Sequence, residues 1–335
     1  MTRNLIVAAA LLLSATTANG QNFENTGDKP FSHLAVGVTL GTTGVGVDVS
    51  APLTDFLNVR TGFEVMPHFE RTMTFGIQSF GSDGEISNTR FEKMASFLES
   101  FTGYHADSEV DMIGKPVMWN YKLLFDIFPF RNKHWHITAG FHWGPKKVAE
   151  AVNSLDDAPS LSAVNMYNHL YYIADQDLNH DNLIPLIDHN GYEMYLDPTI
   201  EDKLLEIGWV GIGLGTYTHD VVDADGNIVH HEGDVYRMTP DGNSKVTCEV
   251  HTNSFKPYLG FGYDGQLLKK DKTVRIGFDC GLMFWGGTPS VVTHDGTDLA
   301  KDVTGIGGKV GSYVDFIDGL KVFPVINLRV TKTIF

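Results

Sequence analysis

The sequence predicts an all-β fold, a single antiparallel transmembrane β-barrel with long outer loops containing short helices, and three observations carry that prediction. Apolar residues alternate with polar residues or glycine over stretches of roughly 10–14 residues, against the ~5–6 usual for soluble strands. No apolar run after residue 20 reaches the ~18 residues of a spanning helix. The links between alternating segments are short and long by turns, as in barrels with tight turns at one end and large loops at the other.

In chain order, residues 1–20 read as a secretory signal. Arg3 precedes nine apolar residues at 5–13, and Ala18-Asn19-Gly20 places small side chains at the cleavage point. No cysteine sits at that point, where Gln21 follows, which argues against a lipoprotein. The mature unit is then one barrel domain over 21–335, exported to the bacterial outer membrane.

Ten strands are expected: 33–40, 44–51, 56–67, 117–128, 134–144, 206–218, 228–239, 245–264, 272–286 and 321–334. Eight or twelve remain alternatives, because the first two could be one kinked strand and 206–239 alternates weakly. In 56–67, Leu57, Val59, Phe63 and Val65 form one row and Asn58, Arg60, Gly62 and Glu64 the other. In 134–144, Trp135, Ile137, Phe141 and Trp143 oppose His134, His136, Gly140 and His142. Trp119, Trp135, Trp143, Trp209, Tyr258, Tyr263 and Phe284 are expected in interfacial girdles. Counting back from the final strand puts links 51–55, 129–133 and 264–271 on the periplasmic side and 69–116, 145–205 and 288–320 outside.

The chain holds 25 Lys and Arg against 41 Asp and Glu, a formal charge of −16. The three long links carry −4, −8 and −3 of it, so the acidity belongs to one end of the molecule. Such a balance excludes a nucleic-acid partner, which needs a basic face. Two cysteines exclude a disulfide-stapled scaffold. Cys280 is expected opposite residue 256 on the neighbouring strand, some eight residues or ~26 Å from Cys248, too far for a bridge.

Segment 177–188 has the oxygen spacing of a calcium loop, with Asp177, Asn179 and Asp181 as side-chain ligands, the Leu183 carbonyl and Asp188 closing it. Asn182 and Asp188 replace the usual Gly and Glu, so a plain acidic loop is the alternative, and Ca2+ is the one cofactor to be considered. Asp223–Asn227 and Pro240–Asn243 read as turns. Segment 91–101 has a helical apolar stripe and is expected to pack as a cap over the mouth. The polar rows offer Asp48, Arg60, Glu64, Lys122, Asp126, His136, His142, Arg275, Asp279 and Arg329 to the lumen. In a narrow barrel these would pair and plug it; in a wider one they would line an aqueous path. No Gly-x-Ser-x-Gly, phosphate loop or His-Glu-x-x-His occurs, and His251-Thr-Asn-Ser254 does not match a lipid-cleaving barrel, so no catalysis is expected.

Several strings together resemble a family of uncharacterised outer-membrane β-barrel proteins typical of the Bacteroidetes. They are Gly41-Thr-Thr-Gly44-Val-Gly46, Phe128-Pro129-Phe130 before Trp135-His-Ile-Thr-Ala-Gly140, Lys256-Pro257-Tyr258-Leu-Gly260-Phe-Gly262, and Phe323-Pro324-Val325 through Ile334-Phe335. The resemblance implies a barrel architecture and transfers no catalytic or binding residue. The terminal Phe335 is similar to the assembly signal of such barrels, although it falls one register off the outward row that ends at Ile334. The expected role is structural or surface display, with a passive channel for small cations and a calcium-ordered adhesin or receptor as alternatives. A soluble periplasmic lipocalin-like protein is the rival at the level of fold. The expected partners are outer-membrane lipid, lipopolysaccharide and the barrel assembly machinery.

Overall fold

The alternating rows fold as one closed wall. In the computed structural model, residues 30–334 are described apart from 77–78, 81–85, 88, 104, 177–184, 188–192, 196–197 and 268–270. Eight antiparallel strands close into a barrel. They are β1 (Ala35–Gly41), β2 (Gly44–Thr54), β3 (Leu57–Val65), β4 (Trp119–Ile127), β5 (Trp135–Trp143), β6 (Phe255–Gln266), β7 (Val274–Phe284) and β8 (Val322–Thr333). Each pairs with the next, and β8 returns to β1 with Thr333 opposite Ala35.

Period-two alternation decides which side each residue takes. On β8, Leu328 is 59% exposed while Arg329 beside it is 3% exposed. Val47, Phe63, Phe125, Ile137 and Phe261 likewise face outward. An apolar outer belt around a charged interior is the polarity of a membrane-spanning barrel. Among the described residues no helix is long and apolar enough to cross a membrane. Aromatics gather at both rims. Trp119 lies 5.4 Å from Phe63 and 6.0 Å from Trp143 at one end, and Trp135 lies 5.1 Å from Tyr263 at the other. Two expected girdle residues lie elsewhere: Tyr258 is buried in the lumen row, and Trp209 sits between a helix and a strand of the cap.

The strand number is eight rather than ten. Segment 206–218 is the end of a helix followed by a cap strand, Ile212–Tyr217, buried on both faces, so it has no polar row to alternate with. Segment 228–239 supplies Ile228–His230 of an exposed hairpin and the cap strand Val235–Met238. Segment 245–264 is broken, with Thr247–His251 in the cap and β6 beginning at Phe255. The β6–β7 register places Cys280 opposite Phe261, five positions from the expected 256, because β6 runs on to Gln266 before turning. Both thiols are free, and burial pushes that of Cys248 up to about 12.

Connections 66–118, 144–254 and 285–321 leave the same end as the two-residue turn 42–43 and build a cap. Five of its strands, Arg71–Gly76, Glu109–Pro116, Lys147–Asn153, Thr247–His251 and Ser290–Thr293, form a sheet in the same lateral order as β3 to β7. This sheet continues five barrel strands past the rim, with breaks at 66–70, 117–118, 144–146, 252–254 and 285–289. Strand Ile212–Tyr217 joins Val235–Met238 and Val303–Thr304 in a second sheet. Among the described residues four helices complete the cap: α1 (Thr89–Thr102), α2 (Ala158–Gln176), α3 (Pro198–Ile207) and α4 (Gly308–Gly319). The apolar stripe of α1, Phe91, Met94 and Leu98, is buried against Leu161, Val164 and Tyr167 of α2 and Leu204 of α3. The two expected turns are fastened by side chains. Asp223 accepts from the amides of Asp225 and Asn227 inside a hairpin, and Asp241 from those of Asn243 and Lys245 between two different sheets.

Glycines set the closeness of the wall. A Cβ on Gly140 would collide with the Leu123 carbonyl, whereas one on Gly242 meets nothing. Gly140→Ala is expected to lower stability by about 1–3 kcal/mol, as overpacking does, and Gly242→Ala to stay within about 0.5 kcal/mol. Urea unfolding followed by heat-dependent gel mobility checks both.

Candidate functional site: the charged lumen

Nine of the ten residues expected in the lumen are buried there: Asp48, Arg60, Glu64, Lys122, Asp126, His136, His142, Asp279 and Arg329. Arg275, on the same row of β7, lies half-buried at the turn end with no ion pair among the described residues. The nine come from β2, β3, β4, β5, β7 and β8, so barrel closure alone brings them together.

They form two connected layers. Toward the turn end, the Arg60 guanidinium donates to both Asp279 oxygens at 2.8 and 3.1 Å and to Asp126 at 2.9 Å. Arg329 donates to both oxygens of Asp264 at 2.9 and 3.0 Å. The His136 ring stands 3.0 Å from Asp279, and the Thr138 hydroxyl donates to Asp126 at 2.7 Å. Toward the cap, the Lys122 ammonium lies 3.3 Å from Asp48 and 3.4 Å from Glu64, whose other oxygen is 2.8 Å from the His142 ring. A cavity between the layers, bordered by Arg60, Lys122, His142 and Asp279, measures about 10 Å3, at the lower limit for one water. The lumen is therefore filled by its own side chains, as an eight-stranded section allows.

Above the charges sits an apolar seal. Met283, Val325 and Tyr258 at the top of the lumen pack with Met118, Val148 and Trp285 at the base of the cap, and Trp285 stacks on Phe323 at 5.5 Å. Lys256 is fully buried beside this seal, its ammonium 3.4 Å from the Pro145 carbonyl.

Sequence reading missed Asp264, Lys256, Tyr258 and Thr138. Asp264 was expected at the start of a turn. The signal for it was present, since Lys256, Tyr258, Gly260, Gly262 and Asp264 continue one inward row. The ring of His251 bonds Glu249 at 2.8 Å within the cap sheet. Among the described residues, no group of three or more His, Cys, Asp or Glu is arranged to hold a metal ion. Asp177, Asn179, Asp181, Leu183 and Asp188 all lie outside the described residues, as do residues 1–20 and Phe335.

The fold and lumen define a class: a closed eight-stranded antiparallel barrel, apolar outside, plugged by buried ion pairs and capped by its own connections. Among solved structures, that of CarO2 from Acinetobacter baumannii is similar at 12% identity and a TM-score of 0.38, over 91% of this chain and 100% of the other. CarO from the same organism is similar at 13% identity and a TM-score of 0.37, over 91% and 99%. No protein-family model matches the chain, and no curated protein matches it.

A buried pair that loses one partner leaves an uncompensated charge. Arg60→Ala is expected to cost about 3–5 kcal/mol, because Asp126 and Asp279 both lose their main partner. Lys321→Ala, at an exposed position just before β8, is the comparison and is expected to stay within about 0.5 kcal/mol in the same urea titration.

Proposed function

We propose that the protein is an outer-membrane barrel with a structural and surface-display role and no catalysis, whose wall anchors a folded cap at the cell surface. The observation that carries this reading is the lumen, filled by buried, mutually paired side chains. A wall of this polarity suits outer-membrane lipid and lipopolysaccharide as its surroundings and the barrel assembly machinery as its route of insertion. The cap, with a hydrophobic core of its own, is what such an anchor would present.

Two measurements test the reading. Carbonate-washed membranes are expected to retain the protein, and recovery in the soluble periplasm would overturn the membrane placement. Refolded protein in planar bilayers is expected to give no stepwise conductance; unitary cation currents would replace display with a porin-like channel.

A further inference from the structure

The cap contains a second space, open at one side and lined mostly by apolar side chains. It measures about 560 Å3, within the size range of small-molecule sites, and lies between the continued wall sheet, the Ile212–Tyr217 sheet and α4. All five strands of the continued wall reach it, through Met73, Met112, Ala151, Val250 and Val291. Helix α4 closes the other side with Val310 and Ile317. The polar residues at its wall are Arg71 and Thr293, on the rows of Met73 and Val291, and Lys115 and Glu150, whose paired side chains lie on the opposite face of the sheet. An apolar space of this size left empty forfeits dispersion contacts along its whole lining, and dry apolar cavities accept apolar guests.

Its length bears on the guest. Five strands at ~4.8 Å spacing reach up to ~19 Å across, which suits the length of an extended alkyl chain. The opening lies between the edge strand Arg71–Gly76 and α4, where Phe69, Tyr313 and Phe316 are 57%, 46% and 63% exposed. Arg71 stands in this opening with no ion-pair partner among the described residues, whereas Lys115 is held by Glu150 at 3.0 Å. A free cation at the mouth of an apolar slot matches an anionic head on a single chain.

We propose that the cap chamber binds one fatty acid, its chain along the slot and its carboxylate at Arg71. The proposal goes beyond surface display and does not depend on the membrane placement, since the chamber belongs wholly to the cap.

The full chain, refolded in an eight-carbon polyoxyethylene detergent, is titrated with palmitic acid and read by native mass spectrometry. One palmitate per chain is expected at saturation. Ala151→Phe, which fills the slot, should weaken retention at least tenfold. Arg71→Gln should weaken palmitate at least threefold and leave hexadecanol, the uncharged chain of equal length, unchanged. Wild-type protein supplies a test free of folding defects: affinity should rise from decanoate to palmitate and level off beyond. Equal palmitate retention in wild type and folded Ala151→Phe, or no dependence on chain length, would overturn the chamber. Retention of dipalmitoyl phosphatidylglycerol in preference to palmitate, lost in Ala151→Phe, would overturn the fatty-acid assignment in favour of a bilayer lipid. Because this readout needs no bilayer, its failure is distinguishable from failure of the membrane or conductance tests.

Discussion

The cross-section of an eight-stranded barrel governs everything inside it. Such a section has room for side chains and for little else. Once the inward rows carry Arg60, Lys122 and Arg329 together with Asp48, Glu64, Asp126, Asp264 and Asp279, these groups must meet. Separate burial would cost several kcal/mol for each charge, so the only stable arrangement is mutual pairing. The guanidinium fork of Arg60 suits this because it spans both Asp279 oxygens at once, and one terminal nitrogen of Arg329 serves both oxygens of Asp264. A wall with more strands would hold the same residues apart and hydrated.

The cap follows from the same wall. Five strands continue beyond the rim in unchanged order, so the cap inherits its alignment from the barrel. What changes at the rim is polarity. Below it the inner face is charged; at Met118, Val148, Met283 and Trp285 it becomes apolar, and in the cap it stays so. The outward face changes in the opposite sense, from Phe63 and Trp143 in the wall to the pairs of Lys115 with Glu150 and Lys147 with Glu249 on the sheet. Burial is thus inverted between two halves of one continuous sheet. Apolar groups face outward where the barrel belt lies and inward where the cap needs its own core.

This inversion also explains what could be read from the sequence. Strands β3, β4, β5, β7 and β8 were legible because one face of each is polar and the other apolar, and the same alternation placed eight of the nine buried lumen residues, Asp48 coming from β2. Segment 206–218 was misread because Ile212–Tyr217 is buried on both faces and carries no alternation. The break at 252–254 shows in the sequence only as a change of phase, apolar residues falling on even positions through Val250 and on odd positions from Phe255. Asp264 escaped because turn-like composition begins close to it, although β6 extends to Gln266. Pairing or open lining of the lumen was not legible at all, since it depends on strand number, which turned on the two most ambiguous segments. The apolar chamber was invisible for another reason: its lining comes from segments scattered between Phe69 and Ile317, none of them a motif.

The seam between β1 and β8 joins the first described strand to the last. Contacts so distant in sequence form slowly, because the chain between them must be ordered before they reward it. Here the late strand also carries Arg329, the partner of Asp264 and a neighbour of Asp126 and Asp279. Until β8 arrives, the interior holds an excess of negative charge and the sheet has two open edges. Docking of one strand closes both edges and lessens that excess together, so an incomplete sheet is penalised twice.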